Sequence, residues 1–420
     1  MGSELERLEV HPLSRNTFLW GVAGAGHQIE GGNFASDIWL MEHTQPTAFR
    51  EPSGDAADSY HRFEEDIALT ASLGFNAYRL SIEWSRIEPE RGLISRAALA
   101  YYRRVLHAVA RAGLRANVTF NHFTVPRWFA AGGGFERNEA VESFVGFCRT
   151  ATEHLGETFD LASTFNEPNL VALLQWGSQA ARIRALFATQ QAAAAKASGA
   201  ANWCSPVLGD FRVQQPIMVE AHNRAYEAIK KASGGRIEVG VTLAMNDERR
   251  APGESGYERK LGELYLPWFE AEGDYIGVQN YTYAVVGPDA DLPPDEGVEL
   301  TQMNYPFAPE ALAGAIRMTA SRCKKPIYVT ENGVATEDDA RRVAFIDGAV
   351  AGLRACVNDG IDVRGYFHWS LLDNWEWFHG YGPKFGLVSW DPETFARTPK
   401  PSAVHLGQIA KADLLRRAKA

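Results

Sequence analysis

Short apolar segments alternate with longer amphipathic ones along nearly the whole chain, and this alternation constrains the fold more than any other feature. The apolar segments have the length of buried β-strands, and the amphipathic ones carry apolar residues at helical spacing. The predicted strands are Phe18–Ala25, Ala77–Ile82, Arg115–Phe120, Leu161–Phe165, Ile237–Leu243, Tyr275–Val278, Pro326–Val329 and Val363–Trp369. Eight strands separated by helices predict an α/β fold, a single (β/α)8 TIM barrel that spans residues 1–420 as one domain.

The amphipathic segments predict the helices between these strands. They are Ser59–Leu73, Arg96–Ala112, Asn138–Leu155, Pro216–Ala232, Glu258–Glu270, Pro309–Cys323, Ala340–Val357 and Ser402–Arg416. The alanine-rich segment Ala180–Ala201 is compatible with a helix and with a mobile lid, and its sequence does not distinguish them. Asp289–Gly297 is rich in proline and acidic residues, which predicts an exposed loop after the sixth strand.

Two of the predicted strands end in a glutamate. Leu161–Phe165 runs into Asn166 and Glu167, and Pro326–Val329 runs into Thr330 and Glu331. A single acidic residue at a strand end more often opens an ordinary loop. However, these are the fourth and seventh strands of a barrel, whose carboxyl ends face one another across the mouth where such folds carry their catalytic groups.

A facing pair of carboxyl groups is what glycoside hydrolysis uses. A separation of about 5–5.5 Å gives retention through a covalent intermediate, and about 6.5–9.5 Å gives inversion. Spacing along the chain does not supply this distance. The residues therefore predict the class of reaction and leave its stereochemistry open.

Charge and cysteine usage exclude several other classes. The net charge of −10 argues against nucleic acid as a partner, and no apolar stretch is long enough to cross a membrane. The first ten residues lack the apolar core of a secretory signal, and the four cysteines are scattered, so a cytoplasmic protein with reduced thiols is predicted. The histidines have no metal-ligand spacing and no phosphate-binding loop occurs, so neither metal nor cofactor is expected. Oligomeric state stays open.

Eight segments match, in order, the motifs of one enzyme family, including Thr-Phe-Asn-Glu-Pro and Thr-Glu-Asn-Gly. They are Phe18–Ala23, Gln28–Gly31, Tyr78–Pro89, Asn121–Phe123, Thr164–Pro168, Thr330–Gly333, Trp369–Trp377 and Lys384–Val388. The chain thus resembles glycoside hydrolase family 1, the β-glucosidase family, nearly from end to end. The resemblance implies a retaining β-glycosidase that removes terminal β-D-glucosyl residues, and related β-galactosyl or β-fucosyl residues, from a small glycoside or oligosaccharide.

The resemblance also implies a catalytic set. Glu167 matches the acid/base and Glu331 the nucleophile, whose negative charge favours the proton on Glu167. Arg79, at the end of the second strand, and the hydroxyl of Tyr281 match the groups that keep the nucleophile ionised. Asn166 matches the residue that holds the sugar 2-hydroxyl, a contact that strengthens in the transition state.

The sugar pocket is implied in the same way. Alone, His122 would more often be structural and Trp369 more often part of a core, but the family uses both around the sugar. A carboxylate at Glu376 can bind neutral hydroxyls and would repel a phosphate, which favours a non-phosphorylated sugar. The implied substrate-binding residues are Gln28, His122, Trp369, Glu376, Trp377 and Phe385.

Two regions depart from the family pattern. The family usually reads Asn-Tyr-Tyr at the sixth strand, where this chain has Gln279, Asn280 and Tyr281. An ungapped alignment, which we prefer, keeps Tyr281 in the catalytic position, whereas a shift of one residue matches Asn280 and loses the tyrosine. The region Leu170–Val213 lacks the usual glycine- and proline-rich pattern, so leaving-group preference is the least transferable implication.

Two alternatives remain open beside hydrolysis. One keeps the fold and makes transfer of the sugar to an acceptor the main reaction. The other is a barrel that binds carbohydrate without catalysis. The presence of Glu167, Glu331 and Arg79 argues against the second alternative, because a pure binding protein needs neither an acid nor a nucleophile.

Overall fold

Eight parallel strands close into a barrel in the computed structural model, which describes residues 17–177 and 179–417. Each strand pairs with its neighbours in the chain, and the last pairs with the first, so the predicted fold class is confirmed. The segment Met1–Val10, for which no secretory signal is predicted, lies outside the described residues. The strands are β1 Leu19–Ala23, β2 Ala77–Ser81, β3 Arg115–Asn121, β4 Leu161–Asn166, β5 Glu238–Ala244, β6 Tyr275–Asn280, β7 Ile327–Asn332 and β8 Val363–Trp369.

Helices follow the strands and cover the outside of the barrel. Their buried residues recur at helical spacing and pack on the outward side chains of the strands, which forms the larger of two apolar clusters. The helices are α1 Gly26–Ile29, α2 Asp37–Glu42, α3 Ser59–Leu73, α4 Trp84–Ile87, α5 Arg96–Arg111, α6 Arg127–Ala131, α7 Glu139–Leu155, α8 Leu170–Trp176, α9 Ala180–Ser198, α10 Phe211–Ala232, α11 Tyr257–Leu264, α12 Leu266–Glu270, α13 Ala311–Arg322, α14 Asp339–Asn358 and α15 Pro401–Arg417.

The interior of the barrel holds a second, smaller apolar cluster. Leu19, Leu161, Tyr275, Tyr328 and Phe367 are among its members, and all are almost completely buried. Trp369 and Phe385 belong to the same cluster, so the apolar core continues up to the mouth. The side chains at the mouth of the barrel are therefore supported by a packed apolar core beneath them.

Two predicted helices differ from the observed ones. The segment Glu258–Glu270 forms two helices that meet at Tyr265, because Pro267 lacks the backbone N–H needed to continue the first one. Helix α10 begins at Phe211 rather than at Pro216, since Asp210 caps it by accepting a hydrogen bond from the backbone N–H of Arg212. The proline lies inside the helix.

The two other segments singled out in the sequence have different outcomes. The alanine-rich segment forms helix α9, Ala180–Ser198. The expectation of an exposed loop over Asp289–Gly297 is wrong in part, because Asp291–Leu292 is a strand of a small outer sheet with Asp247–Arg250 and Tyr283–Val286. The ammonium of the buried Lys260 lies 2.8 Å from the Asp291 carboxylate, and this buried charge explains why the strand is held in place.

A second outer sheet pairs Val388–Trp390 with Arg397–Pro399. Short 3-10 helices occur at Gly134–Glu136, Gly156–Thr158 and Trp377–His379. The last of these lies beyond β8, on the side of the barrel mouth.

Candidate active site

The two predicted glutamates stand at the carboxyl ends of their strands. Glu331 is the penultimate residue of β7, and Glu167 directly follows β4. The pairing of each strand shifts just before its glutamate, between Val329 and Glu331 on one side and between Ser163 and Asn166 on the other. Such irregularities re-aim side chains, and here they occur where both carboxyl groups leave the regular wall of the barrel.

Asn332 and Gly333, which complete the Thr-Glu-Asn-Gly motif, have structural roles beside Glu331. Asn332 donates a hydrogen bond to the carbonyl of Asn280 in β6 at 2.7 Å and accepts one from the hydroxyl of Tyr366 in β8 at 3.0 Å. A Cβ at Gly333 would lie 2.0 Å from the carbonyl oxygen of Trp369, so only glycine fits there. The Asn-Gly pair thus ties β7 to both neighbouring strands immediately after the glutamate.

Two donors contact the carboxylate of Glu331. The Nη1 of Arg79 lies 2.5 Å from its Oε1, and the hydroxyl of Tyr281 lies 2.5 Å from its Oε2. Burial raises the pKa of Glu331, while the guanidinium and the phenol stabilise its charged form and limit that rise. Arg79 is the middle residue of β2 rather than its end, so the expected position was wrong, but its side chain reaches the mouth from inside the barrel.

Asn166 is oriented by its neighbours so that its amide nitrogen remains available. Its Oδ1 accepts hydrogen bonds from Nη2 of Arg79 at 2.6 Å, from Nε2 of Gln279 at 2.9 Å and from the hydroxyl of Thr242 at 3.3 Å. Its Nδ2 is buried without a protein partner among the described residues. A buried donor of this kind needs an acceptor, and a sugar hydroxyl would supply one.

The surroundings of Glu167 differ from those of Glu331. Within the described residues its carboxyl group receives no hydrogen bond, and its backbone adopts a φ of +46°, in the left-handed region. Burial and the negative charge of Glu331 raise its pKa well above the ordinary value, and the more remote Arg79 opposes this only partly. Glu167 is therefore the carboxyl group of the pair that holds a proton near neutral pH.

A third carboxyl group, that of Glu376, lies on the rim of the mouth. Oε1 of Glu376 accepts a hydrogen bond from the indole N–H of Trp369 at 3.1 Å, and Oε2 accepts one from Nε2 of Gln28 at 3.4 Å. The same Nε2 donates to Asn374 and to the carbonyl of Trp375, so Oε1 of Gln28 is left buried without a partner in the described part of the chain. Burial raises the pKa of Glu376 to about 8.

Three rings form a stacked row beside these groups. The ring of His122 lies 5.6 Å from Trp369 at an interplanar angle of 20°, and 6.1 Å from Trp377 at 14°. Burial and the charge of Arg79 lower the pKa of His122 well below its usual value, so its imidazole is neutral, and its Nδ1 has no protein partner in the described residues. The row provides aromatic faces, and the buried Nδ1 of His122 is a polar atom available to a ligand.

The sixth strand supports the ungapped alignment. Tyr281, directly after β6, contacts the carboxylate of Glu331, while Asn280 donates to the carbonyl groups of Met245 and Thr282 and faces away from the glutamate. Phe385 packs edge-to-face on the ring of Tyr281 with centroids 5.6 Å apart. The structure thus brings all eleven candidate residues to one end of the barrel.

Sequence reasoning did not single out two residues that belong to this neighbourhood. Gln279 donates to Asn166, although its position was noted only as a departure from the family pattern. Tyr305 lies in the loop after the outer sheet and is 37% exposed; partial desolvation together with the charges of Glu167 and Glu376 raises its pKa to about 12. Nothing in the local sequence indicates Tyr305, because only the folded loop brings it to the mouth.

The described residues contain neither a metal-binding cluster nor a membrane-spanning helix. Within 17–177 and 179–417, no group of three histidine, cysteine or acidic side chains is arranged to hold a metal ion. None of the helices described is both long and apolar enough to cross a membrane.

A (β/α)8 barrel with two differently surrounded glutamates and a polar, aromatic-lined mouth defines a glycoside hydrolase. The model of glycosyl hydrolase family 1 matches residues 11–268 and 274–414, and the chain belongs to this family. Beta-glucosidase A of Thermotoga maritima is 28% identical, with 94% of this chain and 97% of that protein covered.

Solved structures agree with this assignment. The apo structure of a beta-glucosidase called 1317 is 63% identical with a TM-score of 0.93, covering 94% of this chain and 98% of that one. The beta-glycosidase BGL167 is 44% identical with a TM-score of 0.90, covering 96% and 98%. A beta-glycosidase from Pyrococcus horikoshii is 30% identical with a TM-score of 0.80, covering 95% and 96%.

Proposed function

We propose that this glycoside hydrolase is a retaining β-glucosidase that removes terminal, non-reducing β-D-glucosyl residues within a single catalytic domain. The observation that carries the proposal is the contrast between its two glutamates: Glu331 has Arg79 and Tyr281 at 2.5 Å, whereas Glu167 has no cation in contact. One carboxyl group is thereby suited to attack and the other to donate a proton. The relatives named β-glucosidase support the choice of sugar.

In the first step the carboxylate of Glu331 attacks the anomeric carbon of the bound glucoside. The bond between that carbon and the leaving oxygen breaks, and Glu167 transfers its proton to this oxygen. The product is a glycosyl ester on Glu331. Arg79 and Tyr281 hold the attacking carboxylate in place and keep it charged until the ester forms.

In the second step water replaces the departed alcohol. The ester has removed the charge of Glu331, so one cause of the raised pKa of Glu167 is gone and its carboxylate can act as a base. Glu167 takes a proton from water, the oxygen attacks the anomeric carbon, and Glu331 leaves as a carboxylate. Two inversions at one carbon give net retention.

The remaining residues bind the sugar. The free Nδ2 of Asn166 is suited to the 2-hydroxyl, because its Oδ1 is saturated by three protein donors. Gln28, His122 and Glu376 offer further partners for hydroxyls, and the faces of Trp369 and Trp377 suit the apolar side of a pyranose ring. The carboxyl group of Glu376 offers no positive charge to a 6-phosphate, and in its ionised form it would repel one.

A cytoplasmic location is part of the proposal. All four cysteines are free and buried, at Cys148, Cys204, Cys323 and Cys356. Burial raises the pKa of the Cys148 and Cys204 thiols, which keeps them protonated and unreactive. Such thiols suit a reducing compartment.

A panel of nitrophenyl β-glycosides, with the first-formed anomer followed by NMR, tests the proposal. We expect the β-glucoside to be hydrolysed with initial release of β-glucose. Initial release of α-glucose would mean a single inversion and would contradict both glutamate roles. Absence of turnover across the panel, with sugar binding retained, would favour a carbohydrate-binding barrel.

A further inference from the structure

Helix α9 carries the part of the chain that departs most from the family motifs, and most of its surface is exposed. Its three fully buried side chains are Phe187, Gln190 and Ala194, which share one face of the helix. Two of them contact segments that lead to the sugar pocket. The neighbouring Leu186 points outward and is 44% exposed.

The first route runs through aromatic rings. The ring of Phe187 stacks on Phe378 with centroids 5.7 Å apart and an angle of 26°. Phe378 stacks on Phe49 at 4.9 Å, and Phe49 stacks on Trp375 at 5.5 Å. Trp375 in turn packs edge-to-face on Trp377 at 5.6 Å. A continuous row of rings therefore joins α9 to the rim of the pocket.

A second connection between α9 and the pocket rim consists of hydrogen bonds to main-chain groups. Gln190 is buried, accepts from the backbone N–H of Ala48 at 2.6 Å and donates to the carbonyl of Met41 at 3.2 Å. The segment that follows Ala48 then binds the turn that carries Glu376. The N–H of Arg50 donates to the carbonyl of Phe378 at 3.2 Å, and the indole N–H of Trp375 donates to the carbonyl of Glu51 at 3.0 Å.

The turn over residues 376–380 needs such support. Trp377 adopts a φ of +48°, a conformation that tryptophan rarely takes without external packing. The N–H of Glu376 donates to the carbonyl of Gly380 at 2.8 Å, which closes the turn but does not anchor it to the barrel. Trp369 and Gln28 hold the carboxyl group of Glu376 from the barrel side, and the row of rings and the segment 48–51 support the turn from the outside.

We infer that helix α9 supports the sugar pocket from the outside. Phe187 and Gln190 are positioning residues of this helix that hold Glu376 and Trp377 at the distance the sugar requires. This inference rests on the proposed function of the pocket. The two residues touch neither the glutamate pair nor a bound sugar. They act through the 376–380 turn, so they affect the binding of the sugar by Glu376 and Trp377 more than the bond-breaking step.

The test compares Phe187→Ala with Leu186→Ala, its exposed neighbour on the same helix. Each variant and the parent are assayed with nitrophenyl β-glucoside and nitrophenyl β-fucoside, which lacks the 6-hydroxyl and differs at carbon 4. The ratio of the two kcat/KM values is the readout, because loss of active protein rescales both substrates equally and leaves the ratio unchanged.

For Phe187→Ala we expect KM for the glucoside to rise about tenfold and the glucoside-to-fucoside ratio to fall about fivefold. Leu186→Ala should match the parent. Phe187→Leu and Gln190→Met retain apolar volume or length and should move the ratio in the same direction by less; they carry the test if the alanine variant does not fold.

If the ratio and KM are unchanged in all folded Phe187 and Gln190 variants and the parent is active, the inference about α9 is wrong and the proposed function stands. A parent that hydrolyses neither glycoside would overturn the proposed function and the inference with it.

Discussion

The ends of β4 and β7 are built on the same sequence plan but surround their glutamates differently. Each is an apolar strand that shifts its pairing and then presents a glutamate beside an asparagine. At β7 the carboxylate meets a guanidinium and a phenol at 2.5 Å. At β4 the carboxyl group meets no donor in the described residues, and the backbone turns through a left-handed residue.

The sequence motif thus places a glutamate at each strand end, and the surrounding residues determine whether that glutamate is charged or protonated. A carboxyl group with a cation in contact remains charged, and one that is buried near another negative charge keeps its proton. The cation that stabilises Glu331 comes from β2 and the phenol from the end of β6. The barrel therefore distributes the two roles through strands that are remote in sequence.

Removing the attacking carboxylate should have the largest effect. We expect Glu331→Ala to lower kcat on nitrophenyl β-glucoside by at least about 10⁴-fold, because the covalent route is lost. Azide should restore part of the activity by entering the vacated space, and the product should be the α-glycosyl azide, since only one inversion occurs. Undiminished turnover, or a β-azide, would contradict the assignment.

The matched variant at the other strand end should behave differently. Glu167→Ala should lose about 10²–10⁴-fold on glucosides with poor leaving groups and much less on the dinitrophenyl glucoside, which needs no protonation to leave. Azide should attack the glycosyl-enzyme and give the β-glycosyl azide. The opposite anomers from the two alanine variants would confirm the division of roles, and the same anomer from both would refute it.

Arg79→Lys tests whether the two-nitrogen geometry of the guanidinium, and not only its positive charge, is needed to keep Glu331 different from Glu167. A lysine keeps the cation but cannot contact both Glu331 and Asn166, so kcat should fall about 10²–10³-fold. The control is Arg115→Lys, a buried arginine that pairs with Asp160 at 2.8 Å at the opposite end of the barrel. Equal losses in both variants would indicate a general effect on folding.

Tyr281→Phe should have a smaller effect. It removes one hydrogen bond to the Glu331 carboxylate, worth about 10- to 100-fold in kcat/KM for a bond to a charged group. Tyr275→Phe, at the start of the strand that Tyr281 follows, is the control, because its hydroxyl contacts Ser163 at 2.8 Å in the barrel interior. Activity of Tyr281→Phe equal to that of Tyr275→Phe would argue against a catalytic contact.

The pH profile should show the smallest but most specific effect. Activity should fall at low pH as Glu331 is protonated, at a pH above the ordinary carboxyl value, because its pKa is raised. It should fall again at high pH as Glu167 loses its proton, and both limbs belong to the coupled pair. In Glu167→Gln the high-pH limb of kcat/KM on the dinitrophenyl glucoside should disappear. A limb that persists would belong to another group.

The strands were predictable because their apolar runs are short and bounded by turn residues. Of the eight predicted helices, seven are single helices in the structure, although α10 begins at Phe211 rather than at Pro216. The exception is the helix that Pro267 divides. Asp291 was misjudged as part of an exposed loop, since its ion pair with Lys260 joins residues about thirty positions apart. Such long-range pairs leave no mark in the local pattern.

For the site, the residues alone indicated only the glutamate pair. The pocket residues came from the resemblance, and their contacts came from the fold. The contacts of Phe187 and Gln190 could not be foreseen, because an alanine-rich segment does not reveal which of its few large side chains will be buried. Tyr305 likewise reaches the mouth only through the path of its loop.

Trapping the covalent intermediate would identify the attacking carboxylate directly. A 2-deoxy-2-fluoro-β-glucoside with a dinitrophenyl leaving group slows both steps, so the glycosyl-enzyme should accumulate and can be located by peptide mass spectrometry. We predict that the added sugar lies on the peptide that contains Glu331. A label on the peptide that contains Glu167, or no label on an enzyme that hydrolyses the parent glucoside, would contradict the account.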